Sequence, residues 1–134
     1  MEDKYAVLQK VFGYDAFRPG QEEIVDRLLA GGDVLAVMPT GAGKSLCYQL
    51  PALLLPGVTV VVSPLISLMK DQVQSLLQMG VRAAYINSTL TEGQCRRALQ
   101  NAAAGVYKVV YAAPERLLTP GFLHFAQMVS ISLL

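Results

Sequence analysis

Apolar residues along this chain follow two patterns that alternate from end to end, spaced by three or four positions in some stretches and contiguous in others. The first spacing lines one face of a helix, and short contiguous β-branched runs suit strands covered on both sides. Helices are predicted over residues 4–12 and from Pro19, tolerated in a first turn, to Ala30, where Gly31 and Gly32 stop the pattern. A strand is predicted over 33–37. Leu46, Cys47, Leu50, Leu53 and Leu54 then form one apolar stripe on a helix that Pro51 kinks without ending. Val58–Val62 is a strand-like run. The helix predicted over 65–79 turns Leu65, Met69, Val73, Leu76 and Leu77 inward and Lys70, Asp71, Gln72 and Gln74 outward. Residues 82–86 and 108–111 read as strands, and between them Thr91 and Gln94 have the spacing of a capping box that opens a helix ending near Ala104. Thr119 and Pro120 open a last short helix toward Met128, and residues 131–134 read as the beginning of a buried strand.

Strands alternating with helices predict an α/β fold, an open and mostly parallel sheet with helices on both faces and right-handed crossovers. Ligands of such sheets gather at the carboxyl ends of the strands. The loop after 33–37, Ser63 with Pro64, the run Asn87, Ser88, Thr89, and the run Ala112, Ala113, Pro114, Glu115 all follow strands, so one edge should collect them. No internal repeat, linker or low-complexity segment interrupts the pattern.

The richest chemistry lies in Met38, Pro39, Thr40, Gly41, Ala42, Gly43, Lys44 and Ser45, between an apolar strand and an apolar helix. Small residues let successive N–H groups curl around a phosphate, while the following helix aims its free N-terminal donors and positive dipole end at the same anion. Lys44 supplies charge for the β- and γ-phosphates, and Ser45 offers a hydroxyl to Mg²⁺. Met38 stands where the common pattern has glycine, so the order Thr40, Gly41, Ala42, Gly43, Lys44, Ser45 carries the assignment. The bland alternative is a Gly-Lys-Ser turn arising by chance.

Composition narrows the class. A chain of 134 residues with 53% hydrophobic content suits one domain with a buried core. No apolar run reaches the roughly 18 to 20 residues that cross a bilayer. The first residues lack the basic-then-apolar layout of a secretory signal, so a cytoplasmic location is expected, with no membrane partner, at the nucleoid if the source is prokaryotic. Cys47 and Cys95 belong to no metal-spaced cluster and read as buried, reduced thiols. Net charge is only +1, but through Val62 five Lys/Arg face seven Asp/Glu, whereas from Ser63 onward six face three. The later part is locally basic.

Four blocks in fixed order resemble RecQ-type DNA helicases of superfamily 2. Phe12, Gly13 and Tyr14 with Phe17, Arg18, Pro19, Gly20 and Gln21 resemble the family's first motif, and residues 37–51 its second. Residues 61–72 and 111–117 resemble the next two. The resemblance covers essentially the whole chain and implies the amino-terminal part of a first RecA-like motor domain, with 1–32 as an adenine-recognition segment and 33–134 as an incomplete phosphate-loop core. It implies ATP and Mg²⁺ as cofactors, Lys44 as the catalytic lysine, and ATP-driven 3′-to-5′ movement on single-stranded DNA with unwinding of duplex and branched DNA in repair and recombination. Gln21 then reads the adenine edge, and Tyr14 and Arg18 stack on the base, roles that an amide, an aromatic ring and a guanidinium plane can fill. Ser63, Pro64, Ser67 and Lys70 fall where such enzymes hold the DNA backbone, with Glu115 and Arg116 in a later strand-contact motif. Read without the family, Tyr14 is a core aromatic, Gln21 a solvated helix residue, Arg18 a surface charge, Ser63 to Lys70 a helix cap with a solvated lysine, and the Asn87 loop a turn. His124, among Phe122, Leu123 and Phe125, reads as structural.

The family pattern continues into an acidic D-E-A-H motif, which the 134 residues do not contain, so the sheet is expected to be cut before the Walker B strand is complete. Alone, the chain is expected to bind nucleotide and DNA at most. Two other readings remain: a nucleotide- and DNA-binding module without turnover, and a different phosphate-loop enzyme such as a small-molecule kinase.

Overall fold

The computed structural model describes residues 3–39 and 43–134. The chain divides between Pro56 and Gly57 into two compact units, each with its own core.

Among its described residues the first unit carries three helices: α1 (Lys4–Lys10), α2 (Gln21–Leu29) and α3 (Lys44–Leu54). Asp3 caps α1, its carboxylate accepting from the Ala6 amide at 2.8 Å. Val7, Leu8, Val25, Leu46 and Leu50 bury the apolar faces of all three helices against one another. Pro51 lies inside α3, which continues past it to Leu54, as the apolar stripe requires. Cys47 is buried, and burial pushes its thiol up, so it stays protonated and inert. The predicted strand over 33–37 is absent: residues 32–39 carry no helix or strand, with Leu35 94% and Val37 92% exposed. Backbone N–H and C=O groups make a strand only when a neighbour takes them up, and no described strand pairs with this run.

The second unit is built on β1 (Val58–Val62), β2 (Ala83–Ile86), β3 (Val109–Ala112) and β4 (Ile131–Leu133), a fully parallel sheet in the order β2-β3-β1-β4. Thr59 to Val62 stand beside Val109 to Ala112, which stand in turn beside Ala83 to Ile86. Helix α4 (Ile66–Gln78) carries the chain from β1 out to β2, and α5 (Glu92–Ala103) carries it back to β3. Right-handed crossovers in opposite directions put these two helices on opposite faces of the sheet. Val58, Val60, Val110 and Ala112 share one face and meet Cys95, Ala102, Phe122 and Phe125 from α5 and α6 (Pro120–Met128).

Local chemistry agrees with the sequence at most boundaries. Thr91 and Gln94 form a reciprocal capping box, with the Gln94 amide donating to Thr91 Oγ1 at 3.1 Å and the Thr91 amide to Gln94 Oε1 at 2.9 Å. Thr119 caps α6 with Pro120 in its first turn. Gly57 has φ 76°, and a Cβ there would sit 2.2 Å from the Ser130 carbonyl oxygen, so only glycine lets β1 begin against β4. Leu65 and Leu77 depart from expectation: both are about half exposed, at 55% and 52%, while Met69, Val73 and Leu76 are buried. Leu65 precedes the first helical residue, and Leu77 is a further ~100° around α4 from Leu76, beyond a narrower apolar stripe.

Candidate functional site

In the first unit the expected phosphate loop meets α3. Thr40, Gly41 and Ala42 lie outside the described residues, while Met38, Pro39, Gly43, Lys44 and Ser45 are described. Gly43 is the N-cap of α3, with φ 79° and ψ 42°, and among the described residues no side-chain cap bonds the start of this helix. The amino end of this eleven-residue helix carries the exposed Lys44 and the half-buried Ser45, and its amides, dipole, ammonium and hydroxyl make a donor set that suits phosphate oxygens and a metal bound to them. Among the described residues no cluster of His, Cys, Asp or Glu could hold a metal by itself, so a Mg²⁺ here would lean on phosphate oxygens and the Ser45 hydroxyl.

Gln21 stands next to this helix end. It is 3% exposed, so it is not the solvated helix residue of the family-free reading. Its Oε1 accepts from the Arg18 amide at 2.8 Å and its Nε2 donates to the Gly43 carbonyl at 3.1 Å. A Cβ on Gly43 would fall 2.3 Å from Gln21 Nε2 and displace that amide from its bond, while φ 79° favours glycine in its own right. The bridge between Gln21 and Gly43 had no sequence signal, because the residues are distant in the chain and neither side chain belongs to a local pairing rule. Tyr14 is 51% exposed, which removes the core-aromatic reading and leaves its ring open to a stacking partner. Arg18 is exposed and borders, with Glu23 and residues 34–39, a cleft of about 580 Å³, within the usual size of a small-ligand site.

Helices α1 and α2, which carry this segment, are tied by Lys4, whose Nζ lies 2.7 Å from Glu22 and 2.5 Å from Asp26. The Tyr5 hydroxyl also donates to Glu22. Lys4, then Tyr5, hold the Glu22 carboxyl below the usual carboxylate range, and Asp26, followed by Glu22, raises the Lys4 ammonium above its ordinary value.

In the second unit the sheet order brings the carboxyl ends of β1, β3 and β2 side by side. The Ser63 amide donates to Ala112 O at 3.2 Å and the Ala113 amide to Ile86 O at 3.1 Å. Ser63, Pro64, Glu115 and Arg116 thus share one edge, with Ser67 and Lys70 exposed one turn apart on α4. Ser63 Oγ accepts from the Leu65 amide at 3.1 Å, a local turn that leaves its hydroxyl proton free to donate. Asn87 is 1% exposed, and its Oδ1 accepts from the Thr89 amide at 2.9 Å, so this run is a structural turn, as the bland reading held. Arg116 is half-buried and, with Arg96, lines a groove between α5 and α6. His124 is exposed on that groove rather than packed in the core, and Arg96 escaped the sequence reading because nothing local marks it.

No helix of the described residues is long and apolar enough to cross a membrane. Residues 18–132 match the sequence profile of the DEAD/DEAH box helicases. The ATP-dependent DNA helicase RecQ of Pasteurella multocida is 48% identical over 126 residues, covering 94% of this chain and 20% of that protein. RecQ of Bacillus subtilis is 46% identical over 130 residues, 96% of this chain and 22% of that protein. The human ATP-dependent DNA helicase Q4 is 51% identical over 113 residues, 81% of this chain and 9% of that protein. The chain therefore spans about a fifth or less of the length of these relatives. A profile match over most of the sequence, on a chain with a parallel α/β sheet, settles the assignment: the chain belongs to the DEAD/DEAH box helicase family.

Proposed function

We propose that this chain is the nucleotide-binding part of a RecQ-type ATP-dependent DNA helicase that moves 3′-to-5′ on single-stranded DNA and opens duplex and branched DNA. Residues 1–32 serve the adenine and residues 33–134 the triphosphate and the DNA strand. Met38, Pro39, Thr40, Gly41, Ala42 and Gly43 serve the phosphates through the backbone N–H groups of every member but Pro39, which has none, Lys44 neutralises the β- and γ-oxygens and the charge that develops on transfer, and Ser45 ligates Mg²⁺. Gln21 reads adenine through its amide, with Tyr14 and Arg18 on the faces of the base. Ser63, Pro64, Ser67 and Lys70, with Arg116 oriented by Glu115, hold the backbone of the tracked strand without reading its sequence.

The observation that carries this reading is the uncapped amino end of α3 at Gly43, joined by hydrogen bond to a buried Gln21 and flanked by an exposed lysine. A helix end without a side-chain cap keeps amide donors that an anion can take up in place of water. Lys44→Ala tests it directly. Loss of a charge-assisted contact should weaken ATP binding by roughly tenfold to a hundredfold in calorimetry with Mg²⁺, and unchanged affinity would remove the phosphate-loop assignment.

A further inference from the structure

The groove between α5 and α6 lies apart from the proposed ATP site and shares only Arg116 with the proposed DNA contacts. It encloses about 530 Å³, in the range of a ligand site. Its floor is apolar, formed by Leu99, Ala103 and Phe125. Its rim carries the guanidiniums of Arg96 and Arg116 with the imidazole of His124, against the single carboxylate of Glu92. Neither arginine forms an ion pair among the described residues, whereas Lys4 in the first unit takes two carboxylates. A hydrophobic trough edged by uncompensated cations complements a ligand that is anionic at its edges and apolar at its centre.

We propose that this groove docks an acidic peptide segment of a partner protein, with one aromatic or branched aliphatic side chain seated over Leu99 and Ala103 and flanking carboxylates paired with Arg96 and, when no DNA strand occupies it, Arg116. Charge complementarity selects the anion. The floor selects a peptide over nucleic acid: Phe125 is 1% exposed and its ring is engaged edge-on by Phe122 at 5.3 Å, so it offers no face to a base. Glu92 would also repel a continuous phosphate chain, while separate carboxylates can avoid it. Helix-on-groove and extended-peptide recognition both rest on such an apolar anchor within a charged rim.

The test uses the full chain and a short fluorescent peptide with a phenylalanine flanked by aspartates, followed by polarisation. Arg96 is exposed and absent from the proposed nucleotide and DNA contacts, so Arg96→Glu probes the groove without disturbing either the core or that reading. Saturable binding is expected, about tenfold weaker for Arg96→Glu. Binding should be lost when serine replaces the phenylalanine or lysines replace the aspartates. The proposal is overturned by any of four results: no saturable binding, equal affinity for the lysine peptide, displacement of the peptide by oligothymidylate at lower concentration than by unlabelled peptide, or self-association of the chain that Arg96→Glu abolishes.

Discussion

Two apolar runs of nearly the same composition meet opposite fates in this molecule. Val34, Leu35, Ala36 and Val37 in the first unit are solvent-exposed and belong to no strand, whereas Val58, Thr59 and Val60 in the second are at most 4% exposed. The difference lies in their neighbours. β1 has β3 in continuous register on one side and β4 on the other, while the first run has no paired strand among the described residues. Strand propensity is a fit to a half-built surface, and it is realised only where that surface exists. The sharpest way to break the comparison is to truncate one large side chain on each side of it. Phe125→Ala empties the core beneath the second unit's sheet and should cost about 3–5 kcal/mol in urea unfolding. Leu35→Ala removes a side chain that is 94% exposed and should stay within about 0.5 kcal/mol. Similar losses would mean that the exposed run is buried in solution.

Buried amides extend the contrast. Gln21 and Asn87 are both almost fully buried, yet Asn87 spends its oxygen on its own turn and Gln21 spends its nitrogen on the helix end where phosphate is proposed to bind. Gln21→Ala strips two hydrogen bonds and should cost about 1–3 kcal/mol of ATP affinity, with UTP weakened less because the adenine edge is then unread. Equal losses for both nucleotides would reduce Gln21 to a brace for Gly43.

Helix starts divide the same way. α5 and α6 begin at threonines whose hydroxyls accept backbone amides, while α2 and α3 begin at left-handed glycines without side-chain caps. The threonine hydroxyls of α5 and α6 satisfy backbone donors within the fold itself. Thr91→Ala should therefore cost about 1 kcal/mol of stability, read from the shift in the urea midpoint at unchanged slope.

The capping box, the Thr119–Pro120 start and all four strands of the second unit were legible because each is set by residues within a few positions of one another. The helices of the first unit were legible for the same reason. What stayed hidden depends on distance in the chain. The exposure of Val37 follows from a missing neighbour, the link from Gln21 to Gly43 spans 22 positions, and Arg96 gains meaning only when α6 lies beside it. The phosphate loop is proposed on residue types, with Thr40, Gly41 and Ala42 outside the described residues, and the adenine role proposed for Gln21 rests on the family resemblance.

The smallest expected effect concerns the Lys4, Glu22 and Asp26 cluster, the surface device that joins α1 to α2 where the second unit relies on its sheet. Glu22 has a folded pKa below its unfolded one, so its contribution is complete above the ordinary carboxylate value of about 4.3 and fades as pH falls through the depressed folded value. Lys4 has a folded pKa above its unfolded one, so its contribution is complete below about 10.4 and fades as pH rises through the raised value. Wild type and Lys4→Met should therefore differ by a constant urea midpoint shift from about pH 6 to 9, and the gap should narrow at both extremes. Both partners are partly solvated and salt-screened, so the plateau should also shrink in high salt. A gap that persisted unchanged at pH values below the carboxylate range would mean that Lys4 acts through its ammonium over the Tyr5 ring, 5.1 Å from the centroid, rather than through the two carboxylates.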